Sequence, residues 1–251
     1  MEKDAVRDRI FAEKSHAVGD FNFGEKTAEV FEDMLDRSIP LYREVQRMLG
    51  EITAEFGVAG TNVYDLGCSN GVTLETLASA LGSRGRDIRL IGVDYSKPML
   101  ENAERRFAER GQPTKPQLVH ADLNDGCAIE NASVVVLNLT LQFIRPLFRD
   151  RLIRSIHEGL NENGCLILIE KVLGNDSLFN RQFIKFYYDM KRRNHYSETE
   201  IAQKREALEN VLIPYRIDEN VELLRRNGFG SVDVFYKWYN FAGLLAVKTP
   251  Q

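Results

Sequence analysis

The chain has 251 residues, 43% of them hydrophobic, which is enough for one domain with a sizeable core or one domain with an appendage. A formal net charge of −4 argues against direct binding to a nucleic-acid backbone, which needs a basic surface. The three cysteines, Cys68, Cys127 and Cys165, are too few for a disulfide framework and wrongly spaced for a zinc site, and no apolar run is long enough to span a membrane. No metal and no membrane are therefore expected, and the reading favours a reduced, cytoplasmic protein.

Residues 1–20 are polar and show little periodicity, as in a flexible arm or a short helix. Phe21 and Phe23 lead into helical spacing at Val30, Phe31, Met34 and Leu35. The spacing resumes at Val45, Met48, Leu49 and Ile52 after a break at Pro40. Residues 1–58 are read as an N-terminal arm and helical lid, with plain packing on a sheet edge as the alternative. Tyr42 stands out because it sits just past the break.

From residue 59 strands alternate with helices. Val63-Tyr64-Asp65-Leu66-Gly67-Cys68-Ser69-Asn70-Gly71 reads as a strand, a tight turn and a helix start, with the helix over 71–82. Gly67 permits backbone geometry that a side chain blocks and lets a ligand come close. A phosphate-loop lysine and the full dinucleotide glycine pattern are both absent. A second strand over 88–94 ends in Asp94, where an acid can accept bonds from both hydroxyls of a ribose. Ser96 and Pro98 open the next helix, which runs to about 110.

Strands follow at 116–120 and 132–137, the latter an unbroken apolar run that must be buried on both faces. A helix over 147–160 stops at Asn161-Glu162-Asn163-Gly164, and a fifth strand covers 165–170. Residues 174–213 read as a helical insertion. The cluster Lys191-Arg192-Arg193 within it reads as a solvated helix face. A helix over 218–227 and two strands, 232–236 and 241–247, close the chain as a hairpin. The pattern predicts an α/β fold of Rossmann-like type: a mostly parallel seven-stranded sheet with an antiparallel C-terminal element and helices on both faces.

Ligands of such sheets lie at the carboxyl ends of strands, near the reversal in strand order. That rule selects Asp65, Gly67, Cys68, Ser69, Asp94, Tyr95, Asp122, Leu123 and Asn138. The set suits a ribose, an adenine amino group and a cationic amino-acid tail. Asp65 either touches the ligand or braces the turn by accepting backbone N–H bonds, and Gln142 is either a site wall or part of a satisfied turn.

Together these residues resemble a class I S-adenosylmethionine-dependent methyltransferase fold over residues 60–247, with the middle glycine of the usual turn replaced by Ser69. Four stretches match more closely: Arg37-Ser38-Ile39-Pro40-Leu41-Tyr42, Asp65-Leu66-Gly67-Cys68-Ser69, Leu137-Asn138-Leu139-Thr140-Leu141-Gln142-Phe143 and Gln203-Lys204-Arg205 with Leu208-Glu209-Asn210-Val211. By these the chain is similar to the carboxy-S-adenosyl-L-methionine synthase family.

The resemblance implies conversion of S-adenosyl-L-methionine and prephenate to carboxy-S-adenosyl-L-methionine and phenylpyruvate. No methyl group moves: an ylide formed at the sulfonium methyl captures the carbon dioxide that prephenate loses. It also implies a homodimer, and a partner enzyme that carboxymethylates a transfer-RNA wobble uridine with the product. Binding positions carry over at Tyr42, Gly67, Cys68, Ser69, Asp94, Tyr95, Asp122, Leu123, Asn138 and Arg205. Tyr42 and Arg205 carry the catalytic assignment, with Arg205 meeting the new carboxylate from the neighbouring subunit. No matched motif offers a dedicated base, so the hydroxide leaving prephenate is the expected proton acceptor. Basic residues of the insertion, Arg192, Arg193 and Arg205, are expected to help hold dianionic prephenate. Two other classes fit the fold: an ordinary methyltransferase on a small molecule or RNA, and a non-catalytic scaffold subunit that binds S-adenosylmethionine.

Overall fold

Val-, Ile- and Leu-rich runs of five to seven residues cannot be half-solvated, and the architecture covers them on both sides. A computed structural model describes residues 7–15, 17–110 and 115–250. Its seven strands are β1 (Asn62–Leu66), β2 (Arg89–Asp94), β3 (Gln117–His120), β4 (Ala132–Asn138), β5 (Leu160–Lys171), β6 (Ser231–Trp238) and β7 (Phe241–Val247). They form one sheet in the order β3-β2-β1-β4-β5-β7-β6, parallel except for β7 against β5 and β6. The strand order reverses between β1 and β4, as in doubly wound sheets.

Alternate residues of each strand enter opposite cores. Val135 and Leu137 of β4 join Leu152, Ile153 and Ile156 of α5 (Pro146–Gly159) and Leu223 and Leu224 of α8 (Ile217–Arg226). Val134 and Val136 join Val45 and Leu49 of α2 (Tyr42–Phe56), Leu74 and Leu77 of α3 (Val72–Leu81) and Phe107 of α4 (Lys97–Arg110). α1 (Glu25–Ser38) packs its Phe31 and Met34 with Met99 of α4. Pro40 interrupts the helical pattern, and α1 and α2 accordingly end and begin on either side of it.

Of the N-terminal arm, residues 1–6 and 16 lie outside the described residues. The described part takes an irregular course and is pinned. The Tyr196 hydroxyl donates to Asp8 Oδ2 at 2.6 Å, Gln203 Nε2 donates to the carbonyls of Phe11 and Glu13, and the Phe21 N–H donates to Ala207 O. The insertion resolves into α6 (Ser177–Arg193) and α7 (Glu198–Leu208). Asp176 caps α6, accepting from Leu178 N and Phe179 N, and Ser197 with Glu200 forms a capping box on α7.

Two expectations change. Asn161–Gly164 does more than stop α5. The segment is drawn into β5, where the register against β4 shifts between Ala132 and Val134. Lys191 is not on a solvated face but is 3% exposed, because the last turn of α6 folds back onto α7 and Tyr196.

α2 is woven into the sheet's own core, so truncating its deepest side chain must leave a cavity there. Leu49, fully buried, is that side chain. Leu49→Ala is expected to lower the unfolding free energy by about 2–5 kcal/mol, measured by urea denaturation. A loss below about 1 kcal/mol would place α2 outside the cooperative core.

Candidate active site

The residues at the carboxyl ends of β1 to β5 surround a single large cavity with about 1320 Å³ of empty space, its open mouth included. Nine of the ten binding positions that the resemblance implies line it: Tyr42, Gly67, Cys68, Ser69, Asp94, Tyr95, Asp122, Leu123 and Asn138. Arg205 does not line it. Arg205 lies exposed on α7, one residue from Lys204, which is buried and does line it.

The turn after β1 is built without spare space. Gly67 has φ +82, and a Cβ there would lie 2.4 Å from Thr140 Oγ1. The N–H groups of Gly67 and Cys68 both donate to Val93 O, and the Ser69 N–H donates to Asp94 Oδ2 at 2.9 Å. Asp94 Oδ1 accepts the Ser96 N–H at 2.8 Å. The loop donors are thus spent on β2 rather than offered to a ligand, while each Asp94 oxygen keeps a lone pair. Burial raises the Asp94 carboxyl pKa, and these backbone bonds oppose the rise. Asp122 Oδ1 accepts Asn124 N and Nδ2, which fixes it at the rim. Ser96 opens α4 as expected: its Oγ accepts the Met99 N–H and donates to Phe23 O.

Asp65 does not brace the turn through Oδ2. That atom is buried and has no partner among the described residues. Burial, then the Asp94 charge, push its pKa up to about 8. Asn138 Oδ1 and Gln46 Oε1 are also buried and unpartnered. These three acceptors belong to one neighbourhood. Gln46 Nε2 and Asn138 Nδ2 both donate to Thr73 Oγ1 at 3.1 Å, and Tyr42 contacts Gln46 and feels the Asp65 charge. Buried acceptors without donors are costly. Of the three, only Asn138 lines the cavity, so a ligand ammonium could reach its Oδ1, while Asp65 and Gln46 lie buried behind the wall. An amino-acid carboxylate has a natural place at the uncapped N-terminus of α3, where Val72 and Thr73 line the cavity.

Cys68 is not a nucleophile here. Burial, with Asp65 and Asp94 nearby, raises its thiol well above the usual range. The Tyr42 phenol is likewise raised, by burial, so it is a protonated hydroxyl that can donate. Gln142 proves structural as well as lining: its Oε1 accepts Lys171 N and its Nε2 donates to Leu139 O. Ser69 and Leu139 both hold positive φ, as does Leu41 immediately before Tyr42, so backbone strain gathers around the cavity.

Four of the lining side chains that sequence reasoning did not select bear most on the chemistry. Phe23 stands edge-on to Tyr95 and to Phe143, at 6.1 and 5.2 Å between ring centroids, and Phe21 packs beside it. Lys171 and Lys204 face the cavity from β5 and α7. Lys171 lies at a strand's carboxyl end, so the rule that chose Asp94 and Asn138 could have found it. The two phenylalanines carry no such signal. Arg192 and Arg193 are exposed, and Arg192 is paired with Asp189 and Glu198. Among the described residues no group of three or more His, Cys, Asp or Glu is placed to hold a metal ion, and no helix is long and apolar enough to cross a membrane.

Asp65 makes this site a source of instability without ligand. From about pH 4 to about pH 8 the folded chain keeps a proton that the unfolded chain has lost, so Asp65 makes stability fall as pH rises through that window. Asp65→Asn is expected to raise the thermal midpoint of the ligand-free protein at pH 7.5, to flatten its decline with pH by at most about 1.4 kcal/mol per unit, and to weaken S-adenosylmethionine binding. Scanning calorimetry across pH and titration calorimetry check both halves. Buried Glu170, also raised to about 8 by burial, is common to both proteins and cancels in the comparison.

Residues 63–164 match a family described as a methyltransferase domain. A carboxy-S-adenosyl-L-methionine synthase of Methylococcus capsulatus is 54% identical over 242 residues, covering 96% of this chain and 99% of that protein. The protein of the same name from Desulfotalea psychrophila is 41% identical, covering 96% and 97%. Among solved structures, an O-methyltransferase family protein from Burkholderia thailandensis superposes with a TM-score of 0.62 at 15% identity, covering 93% of this chain and 65% of that one. Human N-acetylserotonin methyltransferase in complex with S-adenosylmethionine gives 0.58 at 13%, covering 90% and 57%. At these identities the structural likeness concerns the fold alone.

Proposed function

The chain belongs to the carboxy-S-adenosyl-L-methionine synthase family, and from that premise we propose that it converts S-adenosyl-L-methionine and prephenate to carboxy-S-adenosyl-L-methionine, phenylpyruvate and water. The observation that carries the reading is Asn138 Oδ1, a buried acceptor without a partner on the cavity wall, beside the uncapped N-terminus of α3 and with Asp65 Oδ2 buried behind it. Such a site fits a zwitterionic amino-acid tail. Asp94 would take the ribose hydroxyls, while Asp122, Leu123 and the Phe23–Tyr95–Phe143 rings would hold the adenine.

In this reading the C–O bond to the prephenate hydroxyl breaks as the ring aromatises and carbon dioxide departs. The departing hydroxide takes a proton from the sulfonium methyl and becomes water. The resulting ylide carbon attacks carbon dioxide to form the new C–C bond. Support for an external proton acceptor comes from the lining. Its carboxylates are Asp94, committed to Ser69 and Ser96, and Asp122, tied to Asn124, and no described histidine reaches the cavity. The Tyr42 hydroxyl would donate to the new carboxylate.

We read Arg205 as acting in trans. Its exposure on α7 supports a homodimer in which each subunit lends this guanidinium to the other's site. Of the arm and lid expected over residues 1–58, the reading keeps the described segment before α2, whose Phe21 and Phe23 line the cavity, while α2 belongs to the sheet core. The enzyme would act in the cytoplasm and pass its product to an enzyme that carboxymethylates a transfer-RNA wobble uridine, without itself holding RNA.

The purified protein is expected to carry a small molecule heavier than S-adenosylmethionine by one carbon dioxide, read by mass spectrometry, and to release phenylpyruvate from prephenate. Finding only S-adenosylmethionine or its demethylated form, with no prephenate turnover, would overturn the reading in favour of an ordinary methyl donor site. The trans assignment has its own test. Arg205→Ala and Asp94→Ala should each be nearly inactive, while refolding an equal mixture should restore about a quarter of wild-type activity through mixed dimers with one intact site. No recovery would place Arg205 outside the partner's site.

A further inference from the structure

Three lysines meet where, among the described residues, one carboxylate, Asp8, lies within 4 Å of any of them. Lys171 ends β5, Lys191 is in the last turn of α6, and Lys204 is on α7. Lys191 and Lys204 are 3% and 6% exposed. Their ammonium groups gather on two rings: Lys171 at 5.1 Å and Lys191 at 5.8 Å from Tyr187, Lys191 at 4.8 Å and Lys204 at 5.6 Å from Tyr196. Only Lys204 has a carboxylate near, Asp8 Oδ2 at 3.6 Å, and that oxygen also accepts from the Tyr196 hydroxyl. Among the described residues no carboxylate lies within 4 Å of the Lys171 or Lys191 ammonium. Glu170, next in sequence to Lys171, turns the other way, to Leu141 N and toward Arg149. Burial lowers all three lysine pKa values, and for Lys191 the other two charges add to the effect.

Clustered cations removed from water are unfavourable unless something of opposite charge completes them. Sheet order shows where that partner sits. The acids that line the cavity, Asp94 and Asp122, follow β2 and β3, whereas Lys171 ends β5, two strands beyond β1 on the opposite side. Strand spacing puts about 10 Å between the ends of β1 and β5. The cavity thus has a nucleoside-sized end lined by acids and a second end lined by lysines and by the rings of Tyr187 and Phe241.

We infer that Lys171 and Lys204, backed by Lys191, form a subsite for the carboxylates of a small dianionic co-substrate with a ring-shaped apolar body. This rests on the proposed reading that a second substrate enters the same cavity. It moves the anion-holding role from Arg192 and Arg193, which face solvent, to the buried lysines. Lys171 and Lys204 face the cavity and Lys191 lies behind them, so one carboxylate would meet Lys171 and a second the Lys191–Lys204 pair, whose one near carboxylate is Asp8, while a monocarboxylate would leave one of these positions uncompensated. The Tyr187 and Phe241 rings offer the apolar body a surface.

The test uses the full-length protein saturated with S-adenosylmethionine, with phenylsuccinate as an unreactive dicarboxylate probe, 3-phenylpropionate as its monocarboxylate counterpart and chloride at matched ionic strength. Phenylsuccinate should raise the thermal midpoint of the wild type more than either control. Lys171→Met and, independently, Lys191→Met should each weaken phenylsuccinate binding by roughly 30-fold and raise the KM for prephenate to a similar degree. Both variants should keep S-adenosylmethionine affinity within about threefold. Since each removes a buried charge, each should also melt at or above the wild-type temperature in the absence of ligand. Equal protection by chloride or phenylpropionate, or wild-type phenylsuccinate affinity in both variants, overturns the subsite. If phenylsuccinate binds through the lysines but prephenate is not turned over, the subsite stands and the proposed reaction falls. If prephenate is turned over with an unchanged KM in both variants, the reaction stands and the subsite falls.

Discussion

The carboxylate of Asp94 fixes the geometry on which the cavity depends. One oxygen takes the Ser69 N–H and the other takes the Ser96 N–H, so the turn after β1 and the start of α4 are tied to the end of β2. Ser96 in turn donates to Phe23 O, which brings the N-terminal segment over the mouth. A single buried acid thereby orients a loop, a helix and a cover. Gly67 completes the arrangement from the other side, since any side chain there would strike Thr140. The Asp94 oxygens face backbone donors with fixed positions, so lone pairs left for a ligand have fixed directions too.

Charge in the cavity is divided rather than balanced. Acceptors without donors, Asp65 Oδ2 and Asn138 Oδ1, lie at the switch between β1 and β4, and three lysines with one near carboxylate among the described residues, Asp8, lie at the end of β5 and on α6 and α7. Each set is unfavourable in the empty protein for the same reason, removal from water without a partner. The two sets do not cancel each other, because strand spacing puts about 10 Å between Asp65 on β1 and Lys171 at the end of β5. Stability given up here is available as binding energy for ligands that supply the missing charges.

The cover over the site is built from residues far apart in sequence. Gln203 on α7 donates to Phe11 and Glu13 and accepts from Ser15, and Tyr196 holds Asp8. Arg149, 1% exposed, donates to Ile144 O and Ile213 O and so locks the far end of the insertion to the loop after β4.

By itself the sequence determined the alternation of strands and helices, the antiparallel close of the sheet and the residues at the carboxyl ends of β1 to β4. Those features follow from local rules: apolar periodicity, glycine at a turn that needs positive φ, and an acid where a strand ends. Tertiary structure alone decided the rest. Asp65 could have braced its own turn, and only the packing around it shows Oδ2 left without a donor. Lys191 had the neighbours of a solvated residue, Arg192 and Arg193, yet it is buried because α6 turns back onto α7, a contact that no helical period encodes. Lys171 and Lys204 belong to segments separated by α6, and Phe23 reaches Tyr95 and Phe143 across most of the domain. Burial and charge pairing depend on which distant surfaces meet, and a linear pattern of residue types carries no record of that.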